Sequence, residues 1–199
     1  GDGILFEGAQ GTFLDIDHGT YPFVTSSNTV AGAACVGSGV GPTHIKHVIG
    51  IAKAYLTRVG AGPFPTELHG KEAEALRTWG GEFGVTTGRA RRCGWLDLPL
   101  LRRSCLLNGV TELCLTKLDI LSHYEKIPLC VEHKEGEAVY EYLEGWGSDI
   151  TGCREWNDLP EQCKNYISRI ESLANVPITL IGIGPQRDQI VRRSNQTLF

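Results

Sequence analysis

Short runs of apolar residues alternate along the chain with longer stretches in which apolar residues recur at helical spacing. Helical spacing of the apolar residues predicts helices over 70–79, 97–107 and 159–173. Continuous or alternating apolar runs predict buried strands over 3–7, 50–59, 110–117, 127–133, 137–143 and 177–183, of which 127–133 and 137–143 resemble a hairpin. Strands that alternate with helices indicate an α/β fold with a mostly parallel sheet flanked by helices.

Hydroxyl residues and proline indicate where two further turns of helix begin. Pro42 predicts the first residue of a short helical turn. The small-residue run 31–35 follows a hydroxyl cluster, in which Ser27 or Asn28 can cap a helix and leave Thr25 to meet an anion near the positive helix end. Clusters of this kind are more commonly ordinary caps and turns.

Composition describes an ordinary globular chain without a strong charge bias. The 199 residues are 41% hydrophobic, enough for one sizeable core, although length alone allows one or two domains. A net charge of −4 argues against a general nucleic-acid binder. No run approaches the roughly 20 apolar residues of a membrane span, and the N-terminus carries no secretory pattern, so we predict a cytoplasmic protein without a membrane partner.

The cysteines do not form a recognisable framework. They number seven, and no two of them form a C-x-x-C pair, which favours buried reduced thiols over disulfides or a zinc cluster. His44 and His47 can share a helical face, but such a pair is more often structural than a metal site.

The segment Val85–Arg92 concentrates groups that bind anions. Its two threonines and Gly88 lead directly into three arginines, Arg89, Arg91 and Arg92. Guanidinium forks match the two oxygens of a carboxylate or phosphate, and glycine allows the backbone to approach an anion closely. A loop followed by a solvated basic surface remains an equal alternative on these residues alone.

Two other segments follow predicted strands. Thr116-Lys117-Leu118-Asp119 can bind guanine, because a carboxylate accepts hydrogen bonds from both N1–H and the exocyclic amine, whereas adenine offers a lone pair there. Gly182-Ile183-Gly184 can wall the same base with bare backbone. A solvated charge pair and an ordinary turn are the alternatives for each segment taken singly.

Six segments together resemble the adenylosuccinate synthetase family, and they follow in that family's order. They read FEGAQGT, LDIDHGTYP, VTSSNT, RVGAGPFPTE, GVTTGRARRCGW and LTKLD. The resemblance runs through essentially the whole chain and corresponds to the C-terminal half of a family member. It implies a nucleotide-binding architecture like that of P-loop NTPases.

The resemblance also implies a reaction and a set of ligand contacts. The family joins IMP and L-aspartate with GTP and Mg²⁺: GTP phosphorylates the purine O6, and the aspartate amine displaces that phosphate. By motif, IMP contacts fall on Gln10, Thr25 and Arg89, and aspartate contacts on Val85, Thr86, Thr87, Gly88 and Arg89. GTP contacts fall on Arg91, Lys117, Leu118, Asp119, Gly182, Ile183 and Gly184. Many family members carry serine where this chain has Gly182.

The segments that carry the family's central chemistry have no match here. The sequence contains no G-D-E-G-K-G-K phosphate loop, and it contains no methionine. We therefore expect residues 1–199 to be the C-terminal portion of a single domain, with the catalytic aspartate, the histidine and the Mg²⁺ ligands in a missing N-terminal portion. The resemblance implies a homodimer for the full-length protein. We expect this chain alone to be inactive, and the alternative is a non-catalytic nucleotide-binding paralogue or partner-dependent half.

Overall fold

A four-stranded mixed sheet forms the centre of the fold. In the computed structural model, which describes residues 3–84 and 88–193, its strand order is β1 (Ile49–Lys53), β4 (Glu112–Thr116), β7 (Ile178–Gly182) and β8 (Ile190–Arg192). The first three strands are parallel and β8 is antiparallel to β7. The predicted α/β class with a mostly parallel sheet is confirmed, since two of the three strand pairings are parallel, and β8 makes the sheet mixed.

Two antiparallel ribbons extend from this sheet. One pairs β2 (Tyr55–Arg58) with β3 (Arg92–Trp95), and the other pairs β5 (Lys126–Lys134) with β6 (Glu137–Glu144). The predicted hairpin is therefore confirmed. The single strand predicted over 50–59 is wrong, because the chain bends at Ala54 and moves from the central sheet into the first ribbon.

Of the α-helices in the described residues, all but the first bury side chains in the core. They are α1 (Ala33–Ser38), α2 (Gly70–Gly80), α3 (Leu98–Asn108), α4 (Leu118–Leu121) and α5 (Glu161–Ala174). The three long predicted helices are confirmed, with ends that differ by one or two residues. Asp97 caps α3, since its Oδ1 accepts a hydrogen bond from the Leu100 N–H at 3.0 Å. In α5 the buried residues recur at helical spacing and are Cys163, Tyr166, Ile167, Ile170 and Ala174.

The N-terminal segment differs from its prediction. Residues 3–9 form neither helix nor strand and are exposed, so the buried strand predicted over 3–7 is wrong. Hydrophobicity alone indicated a strand there, but the described chain offers it no neighbouring strand to pair with. The predicted helix cap is also wrong, because α1 begins after Gly32. Asn28 instead donates from its side chain to Asp17 and Asp15, at 2.6 and 3.3 Å.

The turns and thiols follow the sequence more closely. Pro42–His44 forms a short 3₁₀ helix, as Pro42 predicted. All seven cysteines are free thiols and five of them are buried, which agrees with the prediction of mostly buried thiols. Within the described ranges, the structure contains no helix both long and apolar enough to cross a bilayer.

Candidate functional site

The predicted guanine-binding segments meet at the ends of two neighbouring strands. β4 and β7 are adjacent and parallel, with Leu115 paired to Ile181, so the residues after both strands emerge at the same edge of the sheet. A cleft of about 290 Å³ opens there. It is lined by Thr78, Trp79, Gly80, Gly81, Lys117, Asp119, Ile120, Gly184 and Pro185.

Asp119 presents an unsatisfied acceptor at this cleft. Its Oδ1 is buried and has no hydrogen-bond partner within the described part of the chain. Burial raises the pKa of the Asp119 carboxyl, and the nearby Lys117 charge only partly opposes that effect. A buried carboxylate oxygen without a donor is costly, so the cleft favours a ligand that brings N–H groups to this atom.

Lys117 is held in place from the opposite wall of the cleft. Its backbone has a left-handed conformation, with φ 66°, and its Nζ donates to the Gly80 carbonyl at 2.9 Å. Gly80 is the last residue of α2, where the helix dipole favours a positive charge. Trp79 stacks on His123 with ring centroids 4.4 Å apart and is 40% exposed at the cleft.

Gly184 and Pro185, which follow β7, complete the wall, whereas the predicted residues Gly182 and Ile183 do not line the cleft. Gly182 lies so close to Thr116 that an added Cβ would approach the Thr116 side chain at 3.3 Å. The Ile183 N–H donates to the Gln189 carbonyl at 3.0 Å, while a Cβ at Gly184 would overlap the Gln189 side-chain amide. Leu118, also predicted to contact GTP, is fully buried at the start of α4 and packs in the core.

Glu82 lies two residues beyond α2 and organises the second part of the site. Its carboxylate is only 1% exposed and accepts from Lys53 Nζ at 2.8 Å, Tyr55 Oη at 2.7 Å and Arg91 Nη1 at 2.7 Å. Burial raises the pKa of Glu82, but the three hydrogen bonds outweigh burial and hold it below its ordinary value. Burial and this carboxylate raise the pKa of Tyr55, which keeps its proton and donates.

Glu82 also contacts the arginine-rich loop, defined as the segment Val85–Arg92, through its backbone. The Arg91 N–H donates to the Glu82 carbonyl at 3.0 Å, and Phe83 pairs with Ala90 in an isolated antiparallel bridge. Gly88, at φ 64°, donates to the Gly84 carbonyl at 2.8 Å. The predicted aspartate-binding residues Val85, Thr86 and Thr87 lie outside the described residues.

The three arginines of this segment have different environments. Arg89 is exposed on the loop. Arg91 pairs with buried Glu82, whereas Arg92 forms a two-pronged ion pair with Glu67 and donates to the carbonyls of Gly60 and Gly62. Arg92 therefore serves the fold, and its guanidinium is engaged by protein groups.

The predicted IMP-binding residues lie on the N-terminal segment. Gln10 is exposed with a left-handed backbone, at φ 62°, and the Thr25 N–H donates to the Leu14 carbonyl at 2.8 Å. The same segment contains Asp15, a fully buried carboxylate that accepts from the backbone N–H groups of Asp17 and His18 with Oδ1 and of Thr29 and Val30 with Oδ2.

A series of contacts joins this segment to the arginine-rich loop. Arg58 donates to the Thr20 hydroxyl at 2.8 Å and to the Phe23 carbonyl at 3.1 Å, and Gly62 packs against the Arg58 guanidinium. Arg92 donates to the carbonyls of Gly60 and Gly62, in the turn that follows Arg58. Lys117, Asp119 and Gly184 thus share one cleft, whereas Gln10, Thr25, Arg89 and Arg91 do not line it.

The described side chains do not fit a magnesium ion. Among residues 3–84 and 88–193, three or more possible side-chain ligands meet in one cluster, which contains a thiol and an imidazole. Mg²⁺ prefers oxygen ligands in octahedral geometry. We therefore derive no chemistry through Mg²⁺ from these residues.

Sequence and structure comparisons identify the family of this chain. The sequence model of the adenylosuccinate synthetase family matches residues 1–191. The chain belongs to the adenylosuccinate synthetase family. Curated adenylosuccinate synthetases from Halothermothrix orenii and Moorella thermoacetica are 53% and 54% identical to it, over 97% and 94% of this chain. The solved structure of fully ligated adenylosuccinate synthetase from Plasmodium falciparum has a TM-score of 0.91 and 44% identity over 94% of this chain.

The match covers only part of each family member. The chain spans 49% and 48% of the two curated relatives and 49% of the solved chain. The sequence-based assignment missed Glu82, Tyr55 and Asp15, whose buried hydrogen bonds hold the described site together. Their partners are distant in sequence, and the one available signal was an acidic residue beside an arginine-rich run.

Proposed function

We propose that this chain contributes to the GTP-dependent ligation of IMP and L-aspartate to adenylosuccinate, a step of AMP biosynthesis. The observation that carries the proposal is the buried, unpartnered Oδ1 of Asp119 in a cleft shared with Lys117 and Gly184. A guanine base supplies the two N–H groups that this acceptor lacks. Family membership supports the rest of the reaction.

In this proposal each region orients one reactant. Asp119 accepts from guanine N1–H and the exocyclic amine, and the Lys117 stem lies along the base. Arg91 faces the GTP phosphates, Thr86, Thr87 and Arg89 receive aspartate, with Val85 and Gly88 in the same loop, and Gln10 and Thr25 hold IMP. Transfer of the γ-phosphoryl group of GTP to the purine O6 leaves GDP and activates the attached C6, and attack of the aspartate amine at C6 breaks the C6–O6 bond and releases phosphate. Such transfers depend on positioning and charge neutralisation.

The proposal extends to the assembly and its requirements. We infer that the full-length enzyme is a cytoplasmic homodimer and that Mg²⁺ accompanies the phosphates, bound by groups other than the described side chains. Because this chain spans about half of its relatives and has no matching phosphate loop, we expect no turnover by the 199-residue chain alone. Adenylosuccinate formed by the purified chain would contradict that expectation.

Nucleotide binding to the 199-residue chain tests the assignment of the cleft. We expect GTP to bind more tightly than ATP by equilibrium titration, and Asp119→Asn to favour xanthosine triphosphate, whose 2-oxo group accepts from the asparagine amide. Asp188→Asn is the matched control, because Asp188 is 76% exposed and lies outside the cleft. Equal binding of GTP and ATP, or an unchanged preference in Asp119→Asn, would contradict the proposal.

Addition of the N-terminal half of the Moorella thermoacetica relative distinguishes the two functions considered. Formation of adenylosuccinate by the mixture supports a partner-dependent half of the ligase. Retained GTP binding without product under conditions where the two halves associate favours a non-catalytic nucleotide-binding protein.

A further inference from the structure

A second cluster of chemically active side chains lies outside the nucleotide cleft. It consists of Asp97, Cys130 and His133, whose ligand atoms all lie within 4.8 Å of one another. Asp97 and Cys130 are buried, while the His133 side chain is 28% exposed. The cluster therefore combines an interior carboxylate and thiol with an imidazole that solvent can reach.

An irregularity in β5 brings the cysteine and histidine together. In a regular strand, residues three apart point to opposite faces. Here Cys130 pairs with Tyr140 and Glu132 with Val139, so Val131 is an extra residue that places Cys130 and His133 on the same face. Bulges of this kind redirect side chains and are common beside functional sites.

Main-chain contacts fix the carboxylate against this face. Asp97 and Cys130 form an isolated parallel bridge, and the Cys130 N–H donates to the Leu96 carbonyl at 3.0 Å. Asp97 Oδ1 caps α3 through Leu100, while Oδ2 lies 2.8 Å from His133 Nε2. The two oxygens are thus divided between the helix cap and the cluster.

We propose that Asp97, Cys130 and His133 bind a zinc-like divalent cation, with water as a fourth ligand on the exposed side of His133. One sulfur, one nitrogen and one oxygen donor match the ligands of zinc, and three protein ligands plus water is a common tetrahedral arrangement. Ligand atoms around zinc lie about 3.2–3.8 Å apart. The three ligand atoms here lie within 4.8 Å of one another, so side-chain shifts of about 1 Å bring them to those distances. The cation would take the place of the proton in the hydrogen bond between His133 Nε2 and Asp97 Oδ2.

The same donors exclude the hard cations. Mg²⁺ and Ca²⁺ prefer oxygen ligands and do not compete well for thiolate and imidazole. Burial raises the pKa of the Cys130 thiol to about 11, and its Sγ donates to the Glu132 carbonyl at 3.4 Å. A bound transition metal ionises a coordinating thiol, so the cluster selects cations that bind sulfur strongly.

Cobalt(II) titration of the reduced 199-residue chain tests this site directly, because a cobalt–thiolate bond gives a charge-transfer absorption band. We expect a band that saturates at one Co²⁺ per chain, is displaced by Zn²⁺ and is unaffected by excess Mg²⁺. Cys130→Ser should abolish the band, and His133→Gln should weaken binding at least tenfold. Asp97→Asn should also weaken binding while keeping the helix cap, since asparagine caps helices as well as aspartate does.

Cys105→Ser is the matched control, because Cys105 is also a buried thiol but lies outside the cluster. It should retain the full band. Circular dichroism verifies the fold of each variant, and if Cys130→Ser does not fold, His133→Gln and Asp97→Asn decide. No band in the folded parent chain would overturn the proposal. So would a band that survives the folded cluster variants or disappears in Cys105→Ser.

Discussion

Arg91 and Glu82 form an ion pair whose Nη1 and Oε2 atoms are 2.7 Å apart, although the glutamate side chain is only 1% exposed. The other oxygen of Glu82 binds Lys53 and Tyr55. One carboxylate therefore joins the end of β1, the start of β2 and the base of the arginine-rich loop. The direction in which Arg91 points depends on this buried charge.

Substitution Glu82→Gln should destabilise the chain strongly. Removing one partner of a fully buried ion pair costs about 3–5 kcal/mol, and the exposure of Lys53 and Arg91, near 30%, reduces the expected loss in free energy of unfolding to about 2–3 kcal/mol. Urea unfolding at neutral pH measures this loss. Tyr55→Phe, which removes one donor, should cost about 1–2 kcal/mol. Glu74→Gln on the exposed side of α2 is the control and should change stability by less than about 0.5 kcal/mol.

Substitution Gly80→Ala should also destabilise the chain, because a Cβ there would overlap the Tyr55 hydroxyl that binds Glu82. Overpacking of this kind costs about 1–3 kcal/mol. Gly37→Ala provides a matched helical control, since a Cβ at Gly37 meets no atom within 4 Å. Alanine stabilises a helix relative to glycine by about 0.5–1 kcal/mol. Equal effects of the two substitutions on the melting temperature would contradict the packing argument.

Substitution Asp15→Asn should destabilise the N-terminal segment in a pH-dependent way. Hydrogen bonds from four backbone N–H groups outweigh the effect of burial and hold the pKa of Asp15 well below its ordinary value. A lowered folded-state pKa gives stability that is present above the unfolded value, about 3.8, and is lost as the pH falls below it. The difference in unfolding free energy between parent and variant should therefore be largest near neutral pH and shrink in acid. Asp188→Asn, at an exposed carboxylate outside this segment, is the control and should change the unfolding free energy at neutral pH by less than about 0.5 kcal/mol.

GTP affinity should decline on acidification at a higher pH than an ordinary aspartate would cause. In the proposed function the ionised Asp119 carboxylate accepts hydrogen bonds from guanine, and burial raises the pKa of this carboxyl in the free protein. Titrations from neutral pH toward pH 5 measure the effect. The affinity of Asp119→Asn for xanthosine triphosphate provides the control, because the phosphates titrate in both cases. If both affinities fall in parallel, Asp119 is not the group responsible.

Local patterns were sufficient to predict much of the fold. The helices α2, α3 and α5 and the β5–β6 hairpin each show a regular spacing of apolar residues within their own segment of sequence, so each can be predicted without knowledge of distant residues. The strand predicted over 3–7 fails because its apolar residues find no partner in the described chain. The strand predicted over 50–59 fails because β1 and β2 are both partly apolar, and only their different partners, β4 and β3, separate them.

The candidate site was predictable to a similar extent. Lys117, Asp119 and Gly184 meet because the ends of neighbouring parallel strands lie at one edge of a sheet, and that rule can be applied to a sequence. The partners of the arginines could not be predicted in this way. Arg92 lies 25 residues from Glu67, and Glu82 lies 29 from Lys53, so these pairs depend on how separate elements pack.

The bond from Lys117 to the Gly80 carbonyl gives the last turn of α2 a further role. Gly80 forms one wall of the base cleft, and Glu82, two residues later, sets the direction of Arg91. In the proposed function, the end of α2 therefore fixes the distance between the guanine-binding residue Lys117 and the phosphate-facing Arg91. A shift of this helix end would move both side chains together, because Gly80 and Glu82 are only two residues apart.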